Sequence, residues 1–187
     1  MRRFTVLSAA VLAAGLLSPA SALADDAPAG PDDRDVTWLA VQDEFAVVLP
    51  DGTTYDEDSP PPAGEDPTMS LPVGAQFFLG EKLYATDDGT TRGDQVGRTH
   101  VECTAQALPD WVLCDIVFAL DDDSQLHGTV LVEFSAEQAG EQLAFDIAVT
   151  GGTGGFAGAD GVVSLTDTTD MSDPAAEATT LYEVDLS

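Results

Sequence analysis

Ala148-Val149-Thr150-Gly151-Gly152-Thr153-Gly154-Gly155-Phe156-Ala157-Gly158-Ala159-Asp160-Gly161 can be read in two ways, and the choice between them decides the fold. The spacing Gly152-x-Gly154-x-x-Ala157 matches a dinucleotide-binding loop. Such a loop must open a helix whose N-terminus meets the pyrophosphate. Here the chain runs instead into Gly161-Val162-Val163-Ser164-Leu165, an apolar and β-branched run that reads as a strand. The nucleotide reading is therefore rejected. The glycines serve a tight connection between strands that needs positive φ, with Phe156 as a buried anchor.

The flanking sequence is of the same kind. Val36–Leu49, Val73–Thr86, Val96–Ala105, Trp111–Leu120, Gln125–Phe134, Leu143–Thr150, Gly161–Asp167 and Ala178–Leu186 read as about eight short strands. Turns such as Pro50-Asp51-Gly52, Asp87-Asp88-Gly89 and Asp121-Asp122-Asp123 separate them. Tyr55–Thr68 holds four prolines, which lack the ladder donor, and reads as a surface loop. Only Ala136–Glu141 and Ser172–Ala178 suit a helical turn. One apolar face per strand predicts an all-β fold, an eight-stranded antiparallel closed barrel whose interior is filled or just wide enough for one ligand. Val73, Ala75, Phe77 and Leu79 fall on the dry face of one strand. Val101, Cys103, Cys114, Ile116 and Phe118 share that face in the central hairpin, with His100, Glu102 and Asp115 opposite.

The cysteines flank the turn Ala107-Leu108-Pro109-Asp110. Folding about its midpoint pairs residues whose numbers sum to 217, as 103 and 114 do. Cys103 and Cys114 then stand opposite each other, where a disulfide is expected, two free thiols being the alternative. Zinc is not expected, because the two cysteines lack histidine partners for a tetrahedral shell.

Composition sets the limits. The 187 residues hold 34 Asp and Glu against 6 Lys and Arg, a formal charge of −28, with 44% hydrophobic residues. Nothing in that balance can displace the counterions of a nucleic acid. Hydrophobicity this high also argues for a folded domain rather than a disordered acidic chain. Arg2-Arg3, the apolar stretch Thr5–Leu17 and the small residues up to Ala24 read as a signal peptide over 1–24, followed by a disordered acidic leader over 25–35 and one barrel domain over 36–187. The expectation is a secreted, extracellular protein with no membrane insertion after cleavage. The chain beyond residue 24 would carry −30, since two arginines and no acid leave.

The motif Thr-Gly-Gly-Thr-Gly-x-Phe-x-Gly-Ala-x-Gly resembles the signature of the allene oxide cyclase and dirigent superfamily. Gly80-Glu81-Lys82-Leu83-Tyr84 and Val96-Gly97-Arg98-Thr99, with Cys103 four residues on, are similar to cyclase strands around a pocket cysteine. Val96-Gly97-Arg98 is also similar to the dirigent Leu-Gly-Arg. The resemblance covers about residues 36–187. It implies a barrel whose apolar cavity steers a reactive small molecule, by cyclising an epoxide or orienting a radical coupling. There are departures: the chain has no asparagine where the cyclases place one on the first strand, and Asp160 stands where dirigent proteins carry Arg after the glycine motif.

These readings lead to a set of site expectations. Asp43 or Glu44 is the candidate catalytic acid. Alternation through Leu39 and Val41 sends Asp43 inward, and a bulge would send Glu44 inward instead. Phe77, Leu79, Thr99, Val101, Ile116 and Phe118 are expected to line the lumen, closed at one side by the Cys103–Cys114 bridge. The ligand is a small hydrophobic or amphipathic molecule, and no metal or cofactor is expected. His100 and His127 read as exposed. A homo-oligomer is left open. Two functions remain: a cyclase or isomerase acting mainly by templating, or a noncatalytic envelope or ligand-carrier barrel.

Overall fold

The computed structural model describes residues 36–62, 71–108, 110–133, 142–170, 172–173 and 175–187. Nine strands follow in order: β1 (Val36–Val48), β2 (Thr54–Asp56), β3 (Gln76–Ala85), β4 (Gln95–Ala105), β5 (Trp111–Leu120), β6 (Gln125–Glu133), β7 (Ala144–Thr153), β8 (Gly161–Asp167) and β9 (Thr179–Leu186). Each is antiparallel to its neighbours. β1 pairs with β3 along one edge and with β9 along the N-terminal part of the other, from Val36↔Val184 to Val41↔Thr179. The sheet thus closes on itself as an eight-stranded barrel, with β2 added beside the C-terminal end of β1. No α-helix occurs among the described residues.

Local chemistry explains the elements. The central hairpin β4–β5 keeps a single register, in which Cys103 faces Cys114 and Val101 faces Ile116. The expected disulfide forms, with Cα atoms 4.0 Å apart and a sequence separation of 11. Closing so short a loop contributes about 2–3 kcal/mol. Two expectations need correction. Val73 is not on the dry face: Pro72-Val73-Gly74 forms a turn, with the Ala75 amide donating to the Pro72 carbonyl, and Val73 is 62% exposed. Tyr55 and Asp56 do join a ladder, because the prolines that would forbid it begin only at Pro60. Of the expected helical turns, Ser172–Ala178 shows only turns at its described residues, and Ala136–Glu141 lies outside them. The leader segments before residue 36 lie outside them too.

The glycine-rich stretch closes one end of the barrel. β7 runs through Gly152, then a single 3-10 turn, Gly154–Phe156, delivers Phe156 into the core at 4% exposure. Gly152 has to be glycine here: a Cβ would lie 2.5 Å from the Gln125 carbonyl and 2.6 Å from the Phe156 side chain. The buried Ser124 hydroxyl accepts the Gly155 amide at 2.9 Å, tying the motif to the β5–β6 turn. Phe156 packs edge-on against Trp38 (82° between rings), Trp38 against Phe118 at 5.4 Å, and Phe118 against Tyr182 at 5.0 Å. With Leu83 and Leu126 these rings fill that half of the interior.

Candidate functional site

The other half of the barrel is not filled. A cavity of about 240 Å³ opens there, on the side of the β4–β5 and β8–β9 connections. Phe77 and Leu79 of β3, Val101 and Cys103 of β4, and Cys114 and Ile116 of β5 form one wall. Val130, Phe145 and Leu165 form the facing wall, and Phe45 and Leu71 also contribute. The disulfide is therefore part of the lining. Alternation places these side chains inside, since strand residues two apart share a face.

The recess of this apolar space holds one acid, Glu81, at 5% exposure. Three hydroxyls converge on it. Thr99 donates to Oε2 at 2.6 Å, Tyr182 donates to the same oxygen at 2.7 Å, and Thr180 donates to Oε1 at 3.0 Å. They come from β4 and β9, the neighbours of β3 and β1, so only barrel closure brings them together. Burial first, and the charge and hydrogen bond of Glu81 next, push the Tyr182 phenol well above its usual value. The phenol stays protonated, and a donor, through ordinary pH. None of the ion pairs among the described residues involves Glu81. A carboxyl group offers about four lone-pair sites; three are occupied by neutral donors. Gln42, opposite Glu81 in the β1–β3 register, lines the cavity beside it, and Asp167 and Thr169 contribute to the lining on the β8 side.

The expected catalytic acids are elsewhere. A bulge does interrupt β1 between Gln42 and Glu44, but it turns both acids out of the barrel. Asp43, the extra residue, accepts two hydrogen bonds from Arg98 at 2.8 and 2.9 Å and pairs with Lys82 at 3.2 Å. Burial alone would raise the Asp43 carboxyl, but hydrogen bonds from Arg98 and then Lys82, with their charges, hold it below its usual value. Glu44 meets Arg98 at 3.2 Å with its side chain 69% exposed. Alternation misleads here because Trp38-Leu39-Ala40-Val41 is apolar on both faces, which hides the phase. Trp38 and Ala40 belong to the inner core, whereas Val41 stands opposite the outward Lys82 and Leu39 opposite Tyr84. The strand thus delivers Gln42 and Phe45 to the lumen, and neither acid.

Of the expected lining residues, Phe77, Leu79, Val101 and Ile116 do line the cavity. Thr99 points inward but is fully buried, its hydroxyl given to Glu81. Phe118 is fully buried among Trp38 and Tyr182 and does not reach the cavity. Glu81 was readable all along, since it continues the inward run Phe77, Leu79 at the same period. The polar partners supplied by β9 had no such signal. His100 lies on the outer face and is exposed, as expected; His127 is half-buried beside Gln125. No cluster of three or more metal-ligating side chains occurs among the described residues. The acidic turns use their carboxylates on their own backbone: Asp122 accepts the Ser124 amide, and Asp56 the amides of Asp58 and Ser59.

The closed eight-stranded barrel is the fold of the allene oxide cyclase/dirigent-like barrels. Among solved structures it is similar to a pyocyanin demethylase, with a TM-score of 0.53 and 20% identity over 82% of this chain and 100% of that one. It is also similar to two pterocarpan synthase dirigent proteins, with TM-scores of 0.55 and 0.54 and identities of 16% and 17%, over 83% and 84% of this chain and 84% and 96% of theirs. No family model and no curated protein matches the sequence.

Proposed function

We propose that the protein is an exported barrel that binds a small hydrophobic or amphipathic molecule in the cavity between β3, β4, β5 and β7, with Glu81 meeting its polar group. The observation that carries this reading is the pairing of an apolar wall with one buried carboxyl group at its inner end. An apolar ligand gains by leaving water, and a single polar contact orients it. At about 240 Å³ the space suits a ligand of one or two rings rather than a drug-sized molecule, whose pockets run to ~300–1,000 Å³. The disulfide and the leader-like N-terminus support export.

Two activities fit such a site. In a templating cyclase or isomerase, the walls hold one near-attack conformer while Glu81 moves a proton and Tyr182 donates a hydrogen bond to developing negative charge. In a carrier, the same groups only orient the ligand. The demethylase and synthase names of the structural neighbours support the catalytic reading. The missing cyclase asparagine and dirigent arginine favour the carrier. Binding is common to both and is tested first. Quinoline, uncharged at pH 8 and without a hydrogen-bond donor, tests the apolar walls alone and is expected to bind with one molecule per barrel by calorimetry. Ile116→Trp, which fills the cavity without a new polar group, should abolish binding while circular dichroism still reports a folded barrel. Equal quinoline binding by Ile116→Trp would place the site elsewhere.

A further inference from the structure

The walls of the cavity are apolar, but its charge is one-sided. Among the described lining residues are Glu81 and Asp167 and no Lys, Arg or His. Lys82, Arg92 and Arg98, the three cations of residues 36–187, all lie on the outer surface and are already committed to Asp43, Glu44 or Glu177. Among the described residues, Glu81 therefore has no cation of its own. A buried carboxylate without one is costly, and neutral hydroxyl donors recover only part of what water and a counter-charge would provide. Thr99, Thr180 and Tyr182 hold both oxygens of the carboxyl group from the β4 and β9 sides, and Glu81 also borders the cavity.

Three further features act in the same direction. Phe45, Phe77, Phe145 and Tyr182 contribute aromatic rings to the lining, and aromatic faces attract cations. The chain carries 34 acidic residues against 6 basic ones, and its field raises the local concentration of cations and repels anions. Glu81 is also the one buried acid among the described residues, set in an otherwise apolar space.

From this arrangement we infer that the ligand is a small organic monocation whose positive centre pairs with Glu81 while its apolar body lies against the aromatic wall. The inference rests on the binding role proposed above and adds the sign of the ligand's charge. An anionic ligand would set like charge against Glu81 in a medium of low dielectric. A neutral one would leave the carboxylate without a counter-ion.

The test compares three probes of one shape: N-methylquinolinium, quinoline and naphthalene-2-carboxylate, at pH 8 in 300 mM NaCl, where the surface field is screened over a few ångströms. The wild-type protein should bind the cation about tenfold or more tighter than quinoline, as pairing of opposite charges in a partly dry site implies, and the anion not measurably. Glu81→Gln should reduce the preference for the cation to about onefold while still binding quinoline. Asp115→Asn, which removes one exposed charge from the outer face, should leave the preference intact. Equal affinity for cation and neutral probe in the wild type overturns the inference while leaving the binding role standing, and this arm needs no variant. A preference that survives in Glu81→Gln overturns it as well, by assigning the effect to the surface field. Binding of none of the three overturns both.

Discussion

Asp43 and Glu81 show how little residue type says about role. Both are acids near the same strand pair. Asp43 is clamped by Arg98 and Lys82 outside the barrel, and Glu81 sits inside on hydroxyls alone. The Asp43 carboxyl is held below its usual value, so its contribution to stability is full above the unfolded-state value near 3.9 and is lost as pH falls through the lower folded-state value. Its side chain is 22% exposed, which makes this a semi-exposed pair worth at most about 1 kcal/mol. Arg98→Gln should therefore lose up to about 1 kcal/mol in urea unfolding at neutral pH. The difference from wild type should shrink as pH falls past the unfolded-state value and vanish once the pH is below the lowered folded-state value. A difference that persists in acid would mean that Arg98 stabilises the barrel by packing rather than by charge.

Among the elements, the glycine-rich turn seats a buried ring at one end of the barrel. Its short 3-10 segment serves as a plug, and its glycines permit the approach that seats Phe156 on Trp38. Removing a buried ring and leaving a cavity costs about 3–5 kcal/mol. Phe156→Ala should lower stability by that amount in chemical unfolding. Because the plug and the ligand cavity occupy opposite halves of the lumen, quinoline affinity should remain unchanged at temperatures where the variant is folded. A loss below 1 kcal/mol would mean that this end of the barrel is closed by something other than Phe156.

At the scale of the whole molecule, charge sets the behaviour. Of the 34 acidic residues, only Asp43, Glu44 and Glu177 have a cationic partner among the described residues. The rest repel one another over a Debye length of ~10 Å at 0.1 M salt. Melting temperature should accordingly rise between 10 and 300 mM NaCl, and most steeply at the low end. A flat or falling curve would mean that the few ion pairs outweigh the repulsion.

The eight barrel strands, the hairpin register and the disulfide could all be read from the linear sequence, because each is local, whereas the short β2 was missed. A period of two assigns faces, and a short turn fixes which residues stand opposite, as Cys103 and Cys114 do. Rejecting the nucleotide loop was equally local, since only the residues just after Ala157 mattered. The same periodicity failed where its assumption failed. In Trp38–Val41 both faces are apolar, so the phase was invisible, and with the bulge both Asp43 and Glu44 lie on the outer face beside Arg98. Thr180 and Tyr182 lie about a hundred residues from Glu81 in sequence. They reach it because β9 closes onto β1, a pairing that no local pattern encodes. The division of the lumen into a packed half and a hollow half likewise depends on the volumes of side chains from every strand at once. Where the cavity lies, and which acid it holds, followed from barrel closure and packing, whereas the strands and their hairpin were already present in the order of residues.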